Sequence, residues 1–126
     1  MTPALLLLVF LGGVAGAACR YGVGRLVGAR YGGVFPLGTF AINVTGCFAL
    51  GLLASLLAVT RHDQAALTNL LATGFLGGYT TFSTYALEGV LLGRDGHMRL
   101  ALFTLLGSVV AGLMAAGAGA GVARLI

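Results

Sequence analysis

The 126-residue chain is 59% hydrophobic and only 8% charged, and its mean hydropathy is +1.04. This composition cannot supply the charged surface of a soluble domain, so it predicts an integral membrane protein. Seven arginines against three acidic residues give a net charge of +4. The arginines form no cluster interleaved with aromatic residues, which argues against nucleic-acid binding and makes anions or lipid headgroups the expected charge partners.

Four apolar stretches follow one another along the chain, each near or above the roughly 20 residues that cross a hydrocarbon core. They predict four transmembrane helices, from about Pro3 to Val27, Phe35 to Val59, Ala65 to Leu92 and Leu100 to Leu125. The connections are too short for a soluble domain, so residues 1–126 are predicted to form a single four-helix transmembrane domain. The first stretch lacks the basic start of a signal peptide and is interpreted as part of the mature fold.

The first predicted helix carries Arg20 at membrane depth, where a guanidinium costs about 2.5–3.5 kcal/mol near the bilayer centre. Two interpretations stay open for it: an electropositive vestibule that concentrates anions, or snorkelling to the headgroups. Glycines four residues apart favour close helix packing, although such pairs arise easily in a glycine-rich chain. These pairs are Gly12 and Gly16, Gly24 and Gly28, and, in the fourth helix, Gly117 and Gly121.

The second predicted helix carries a polar patch of Thr39, Asn43 and Thr45. The Asn43 amide can donate two hydrogen bonds and accept others, so it serves equally well as a clamp between helices or as a ligand for an ion.

The third predicted helix contains Gly74, Gly77 and Gly78, followed by the run Thr80-Thr81-Phe82-Ser83-Thr84-Tyr85. Glycines followed by β-branched and hydroxylated residues predict a break in the helix, which membranes tolerate where the freed backbone lines a polar cavity. The alternative is that the hydroxyls bond back to carbonyls one turn earlier and only bend the helix. Glu88, one turn further on, is either a proton-relay carboxylate or a hydrogen-bonding anchor.

The arginines in the predicted loops differ little between the two sides of the membrane, with Arg61 and Arg124 on one side and Arg25, Arg30, Arg94 and Arg99 on the other. Such a weak bias permits insertion in either orientation. Two oppositely inserted copies could then pair as an antiparallel dimer.

Three segments together resemble the Fluc (CrcB) family of fluoride channels, and the likeness covers essentially the whole chain. They are Gly13 to Arg20, Gly38 to Gly46 with Asn43, and above all the segment from Gly74 to Thr84. The resemblance implies passive export of cytoplasmic fluoride across the inner (plasma) membrane by a multi-pass protein. It also implies a dual-topology dimer embedded in membrane lipids, with two antiparallel pores at the subunit interface and the broken third helices crossing at its centre.

Roles for individual residues follow from the same resemblance. Asn43 becomes a pore donor, Phe82 presents its ring edge to the anion, and Arg20 is a vestibule charge. A structural sodium ion is expected on the main-chain oxygens of Gly77 and Thr80 from both subunits. The polar track is expected to contain Ser83, Thr84 and Ser108.

This chain departs from the family pattern at two positions. Tyr85 stands where the family usually has phenylalanine, and Thr104 where some members have tyrosine, so the aromatic wall is expected to coordinate the anion differently. A homodimer is expected, with a heterodimer formed by a second family member left open.

Three other functions compete with a fluoride channel. A proton-coupled small multidrug exporter would need a carboxylate in the first helix, and this chain has none there. A structural protein that only packs against partners would leave the hydroxyl run without a role. An enzyme is least expected, because His62 and His97 lie in loops away from any nucleophile.

Overall fold

A computed structural model describes residues 1–59 and 64–126, with Val59 described by its backbone alone. The predicted connection around Thr60, Arg61, His62 and Asp63 lies outside the described residues. Within the described ranges every regular element is helical. The chain therefore has the predicted four-helix organisation, in which the third helix is interrupted.

The first two helices lie close to the predicted bounds. Helix α1, Pro3–Arg30, begins where the Thr2 hydroxyl accepts the Leu5 amide and Pro3 takes the first helical turn. It runs one turn further than the predicted end at Val27. Helix α2, Leu37–Val59, begins directly after Pro36.

The third membrane segment consists of two helices. Helix α3 covers residues 65–79 and comprises Ala65–Leu67, a π-helical stretch Thr68–Leu76, and Gly77–Tyr79. Helix α4 is Phe82–Arg94. The last helix, α5, is Met98–Ala123 and contains a π-helical segment, Phe103–Gly107.

Among the described residues, three helices are each long and apolar enough to cross a membrane alone: Pro3–Arg30, Leu37–Ala58 and Met98–Ala123. Neither α3 nor α4 is long enough to cross by itself, so the third segment is long enough only as the pair. Helix α1 packs along α3, α2 packs along the C-terminal part of α5, and α4 contacts the N-terminal part of α5. The short turn between α4 and α5 uses Gly96 at a φ of 86°, a conformation that suits glycine.

The break in the third segment is formed by Thr80 and Thr81, both in extended conformation, with ψ angles of 160° and 121°. The predicted break is therefore confirmed, and it falls on the first two residues of the predicted hydroxyl run. Gly74, Gly77 and Gly78 are themselves helical. The helix ends because the Thr81 amide leaves the helical ladder and donates to Asn43 Oδ1 at 2.8 Å.

Close packing through glycine is confirmed for Gly12 and Gly16. A Cβ on Gly12 would lie 2.1 Å from Leu70 O, and one on Gly16 would lie 2.0 Å from Phe75 O. The same prediction was wrong within this chain for Gly28, Gly117 and Gly121, where a Cβ would meet nothing within 4 Å.

Gly24, which the sequence pairs with Gly28, also has nothing within 4 Å of an added Cβ. The corresponding close approach between α2 and α5 is made instead by Gly51 against Ala116 O and by Gly119 against Phe48 O. Small residues thus bring α1 to α3 and α2 to α5 at backbone contact distance.

Candidate functional site

Asn43, in the N-terminal third of α2, holds the broken backbone through two hydrogen bonds. Its Nδ2 donates to Thr81 O at 2.9 Å, and its Oδ1 accepts the Thr81 amide at 2.8 Å. This pairing satisfies both backbone groups of a residue that is only 8% exposed. Asn43 is therefore a clamp between α2 and the break. One hydrogen of its amide nitrogen is not used in this pair.

Arg20 reaches the same break from α1. Its Nη1 donates to Thr80 O at 3.1 Å, and the residue is half-buried. The guanidinium thus covers a carbonyl that the break releases, since the Thr84 amide binds the Thr81 hydroxyl instead of Thr80 O. Snorkelling does not describe this position, because the charge is directed to the backbone of the third segment.

The hydroxyl of Thr81 caps the start of α4. It accepts the Thr84 amide at 3.2 Å and donates to Thr84 Oγ1 at 3.0 Å, and Ser83 Oγ lies 3.4 Å away. The Thr80 hydroxyl bonds back to its own helix, as the alternative to a pore role predicts: it donates to Leu76 O, one turn earlier, at 2.9 Å. The hydroxyl run therefore serves two purposes: Thr80 closes α3, and Thr81 opens α4.

A cavity of about 390 Å³ lies on one side of the break. Phe82 on its wall is 80% exposed, and the Phe82 and Tyr85 rings are 5.6 Å apart at 51°. The cavity thus brings together four of the predicted pore residues and both predicted sodium ligands. The predicted residues that line it are Asn43, Gly77, Thr80, Phe82, Tyr85 and Ser108. Ser83 does not line it.

The Tyr85 hydroxyl donates to the carbonyl of Leu105. Leu105 lies in the π-helical segment of α5, Phe103–Gly107. The neighbouring Thr104 is 2% exposed, and its hydroxyl has no hydrogen-bond partner among the described residues. Tyr85 thus ties α4 to α5 through a backbone oxygen, a contact that the sequence did not predict.

A second cavity, of about 630 Å³, lies on the other side of the break. It contains Arg20, Thr39, Thr84 and Glu88, and it shares Thr81 with the first cavity. The Thr39 hydroxyl donates to Glu88 Oε1 at 2.9 Å, so this carboxylate has the anchoring contact considered from the sequence. Its Oε2 is buried without a partner in the part of the chain that the structure describes.

The two cavities lie on either side of the Thr80-Thr81 backbone, and their walls are mostly apolar with a few polar groups. These groups include donors, namely a guanidinium, an amide and several hydroxyls, and one carboxylate, Glu88. No cluster of three or more His, Cys, Asp or Glu side chains that could hold a metal ion occurs in residues 1–59 and 64–126.

Comparison with known proteins identifies the family. The profile described as "CrcB-like protein, Camphor Resistance (CrcB)" matches residues 7–120. This range includes both cavities and every helix around them.

The chain belongs to the CrcB family.

Curated CrcB relatives match over nearly their full length. A Brucella abortus protein named "Fluoride-specific ion channel FluC 2" is 46% identical over 99% of this chain and 98% of its own. One from Paracoccus denitrificans, "Fluoride-specific ion channel FluC", is 49% identical over 92% of this chain and 91% of its own. A Brucella melitensis relative named "Fluoride-specific ion channel FluC 1" is 47% identical over 93% and 97%.

Membership in the CrcB family, together with the apolar helices, makes this chain a multi-pass membrane protein. It also decides against the small multidrug exporter. The position of Glu88 agrees with this conclusion, because its carboxylate lies on α4, whereas the exporter would need one on the first helix.

Proposed function

We propose that this chain is a fluoride-selective channel that lets fluoride leave the cytoplasm passively across the inner membrane. The single observation that carries the proposal is the cavity at the break, where unused donors and two aromatic rings meet at membrane depth. The names of the relatives, which are 40–49% identical, supply the identity of the anion. A channel catalyses no covalent step, so the protein is not an enzyme.

Fluoride is small and strongly hydrated, so it crosses only if water is exchanged for several short hydrogen bonds that do not hold it too tightly. Asn43 has one amide hydrogen outside its clamp, and Ser108 contributes a hydroxyl to the same cavity. Phe82 and Tyr85 have ring edges that carry partial positive charge. Donors and ring edges on one wall form the dehydrated part of the path.

Arg20 and Thr84 lie in the second cavity and provide the approach to that path. The guanidinium keeps its full charge while it binds Thr80 O, so it raises the local concentration of anions. The Ser83 hydroxyl lies 3.4 Å from the Thr81 hydroxyl, and Thr81 lines both cavities, so Ser83 adds a further hydroxyl to the path between them. In this arrangement Asn43 is both the clamp of the break and a donor to the anion.

The functional unit is an antiparallel pair of chains inserted in opposite orientations. Phe82, at the start of α4, is 80% exposed, and Gly77 is exposed with nothing within 4 Å of an added Cβ. Both residues belong to the cavity wall, which is therefore incomplete in one chain. When the third segment of a second copy crosses that of the first at the break, the two chains together complete two pores, one on each side of the crossing. A cysteine introduced at Gly77 should cross-link to its equivalent in the partner.

A structural sodium ion fits the oxygens that the break releases. The Thr81 amide would pair with Gly77 O in a continuous helix, but it binds Asn43 instead, so this carbonyl loses its usual donor. Thr80 O accepts Arg20 and keeps a second lone pair. Carbonyl oxygens are the hard ligands that alkali cations prefer. When bound, sodium would join the two copies through Gly77 and Thr80.

The direct test is fluoride efflux from liposomes that contain the purified chain, followed with a fluoride electrode beside a chloride control. We expect rapid release of fluoride and no release of chloride. Phe82→Ile should lower the fluoride rate at least about tenfold while the protein still assembles. Phe10→Ile is the matched control, because Phe10 is also exposed, at 64%, but lies on α1 away from both cavities.

Absence of fluoride release from folded protein would overturn the homodimeric channel. The heterodimer would then be tested by reconstituting this chain with a second CrcB protein from the same source. Some relatives carry the number 1 or 2 in their names, which supports a second CrcB protein as the partner.

A further inference from the structure

Helix α5 carries an apolar groove of about 570 Å³ that is separate from both cavities at the break. Every residue that lines the groove is apolar, and Phe40 of α2 forms one edge. The α5 residues of its wall follow helical spacing on one face: Phe103, Leu106, Gly107, Val110 and Met114. Ser108 and Val109 line the cavity at the break and not the groove, so the groove lies outside the pairing surface proposed above.

Aromatic rings shape the groove at the end nearer the start of α5. The Phe35 ring lies 5.4 Å from that of Phe40 and 5.7 Å from that of Phe103, so the three rings bridge α2 and α5. Further along the groove, the α5 side chains are between 57% and 71% exposed at Leu106, Val110 and Met114. The groove is thus a preformed hollow, and its exposed apolar wall favours an apolar occupant.

The length of the groove matches one membrane leaflet. From Leu102 to Met114 the helix rises by about 18 Å, at about 1.5 Å per residue. Half of a hydrocarbon core of about 30 Å is about 15 Å. The groove begins near the residue at which α5 begins, so an acyl chain from one leaflet covers it along its length.

An unpaired charge lies at the same end of α5. Arg99 is exposed and stands one helical turn before Phe103, on the face that carries the groove. It lines a hollow of about 450 Å³ formed by residues 96–100. Arg94 is paired with Asp95 at 3.6 Å, whereas Arg99 forms no ion pair within residues 1–59 and 64–126. A guanidinium at this level attracts the phosphate of an anionic headgroup.

We infer that the groove binds one anionic phospholipid, with an acyl chain along α5 and the headgroup phosphate at Arg99. The occupant is a membrane lipid, because a soluble phosphate would use Arg99 and leave the apolar wall exposed. A zwitterionic lipid also has a phosphate, but its own positive charge offsets the attraction of the guanidinium. The site goes beyond fluoride permeation and does not depend on it.

Quenching of a single tryptophan by brominated lipids tests the site in bilayers. The chain contains no tryptophan, so Leu106→Trp places the sole indole on the groove wall. Quenching is compared between phosphatidylglycerol and phosphatidylcholine brominated at the same acyl positions. We expect phosphatidylglycerol to be enriched about fivefold at the groove, the preference that one basic residue near the surface confers. Phe10→Trp is the matched control, since Phe10 is 64% exposed on α1 and lines neither the groove nor the cavities at the break.

The charge is tested in the Leu106→Trp protein. Arg99→Gln should bring the ratio of quenching by the two lipids close to one, because the headgroup loses its partner while the groove stays intact. Arg30→Gln removes an equal charge at the end of α1, on the same side of the bilayer, and should leave the ratio unchanged, since Arg30 lines neither the groove nor the hollow at 96–100. High salt should lower the enrichment without any further substitution, because it screens an exposed charge.

The groove itself is tested by filling it. Gly107→Leu occupies part of the groove, and its Cβ would lie at an ordinary contact distance of 3.4 Å from the Phe103 ring. The enrichment at Leu106→Trp should then disappear although Arg99 is present. Gly22→Leu, on α1 with nothing within 4 Å of its Cβ, should leave the enrichment unchanged.

Equal quenching by the two lipids at Leu106→Trp, as expected at Phe10→Trp, would overturn the inference whether or not the other variants fold. An enrichment that persists in Arg99→Gln would overturn the anionic site in the same way. Neither result depends on fluoride efflux, so failure of the proposed channel function leaves this test unaffected.

Discussion

Replacing Asn43 with alanine removes both hydrogen bonds that hold the extended Thr81 backbone in place. The Thr81 amide, which donates to Asn43 at 2.8 Å, then loses its partner, while the Thr81 carbonyl, 2.9 Å from Asn43, keeps the helical bond that an N-cap carbonyl accepts. A buried polar group left unpaired costs about 1–3 kcal/mol, so the orphaned amide sets the expected loss at about 1–3 kcal/mol. Averages near 0.6 kcal/mol per hydrogen bond in membrane proteins set a lower bound of about 1 kcal/mol.

The effect should appear in reversible unfolding by SDS in mixed micelles, followed by circular dichroism. Thr45→Val is the control from the same helix, since Thr45 is exposed, binds Ala41 O on its own helix at 2.7 Å and the Tyr79 hydroxyl at 3.0 Å, and has no bond to the break. We expect Asn43→Ala to be at least about 1 kcal/mol less stable than this control. Equal stability of the two variants would refute the interpretation of Asn43 as the clamp of the break.

Two further predictions concern α1. Gly16→Ala should destabilise the fold by about 1–3 kcal/mol, because its Cβ would lie 2.0 Å from Phe75 O; Gly22→Ala, with nothing within 4 Å, should be neutral or stabilising in the same SDS titration. A stable Gly16→Ala would contradict backbone contact between α1 and α3. Arg20→Gln should lower fluoride efflux at low ionic strength, and the deficit should shrink in high salt because screening removes the advantage of the charge. A deficit that does not depend on salt would argue against the vestibule role.

Much of the fold could be predicted from the sequence because a bilayer imposes its thickness on apolar stretches. The four helices and the interruption of the third follow from hydropathy and from the glycine and hydroxyl residues between Gly74 and Thr84. The residues within this segment at which the helix stops could not be predicted, because they depend on a side chain from another helix. Asn43 draws the Thr81 amide out of the ladder, so the glycines before it remain helical.

Glycine spacing predicted one helix contact and failed for others for a related reason. Gly12 and Gly16 meet the backbone of α3, whereas Gly117 and Gly121 have the same spacing and meet nothing within the chain. Spacing shows that a close approach is possible, but the neighbour that uses it is set by the fold. The contact of Gly51 with α5 has no second glycine four residues away, so glycine pairs alone do not signal it.

The candidate site was predicted as a set of residue types, and the structure adds their mutual contacts. Arg20 and Asn43 were expected to serve an anion, and both also cover carbonyls of the broken backbone. The bond from Tyr85 to Leu105 depends on a π-helical segment that has no clear signature in sequence. Thr39 and Glu88 are distant along the chain, and their pairing required the packing of α2 on the third segment.

The most direct test of passive fluoride permeation is the reversal potential of the purified chain in a planar bilayer under a tenfold fluoride gradient with equal chloride. For a fluoride-selective channel we expect a reversal potential of about 59 mV in magnitude, the value for a tenfold gradient of a monovalent ion, and no dependence on a proton gradient. A potential near zero, or one that follows the proton gradient, would contradict the account.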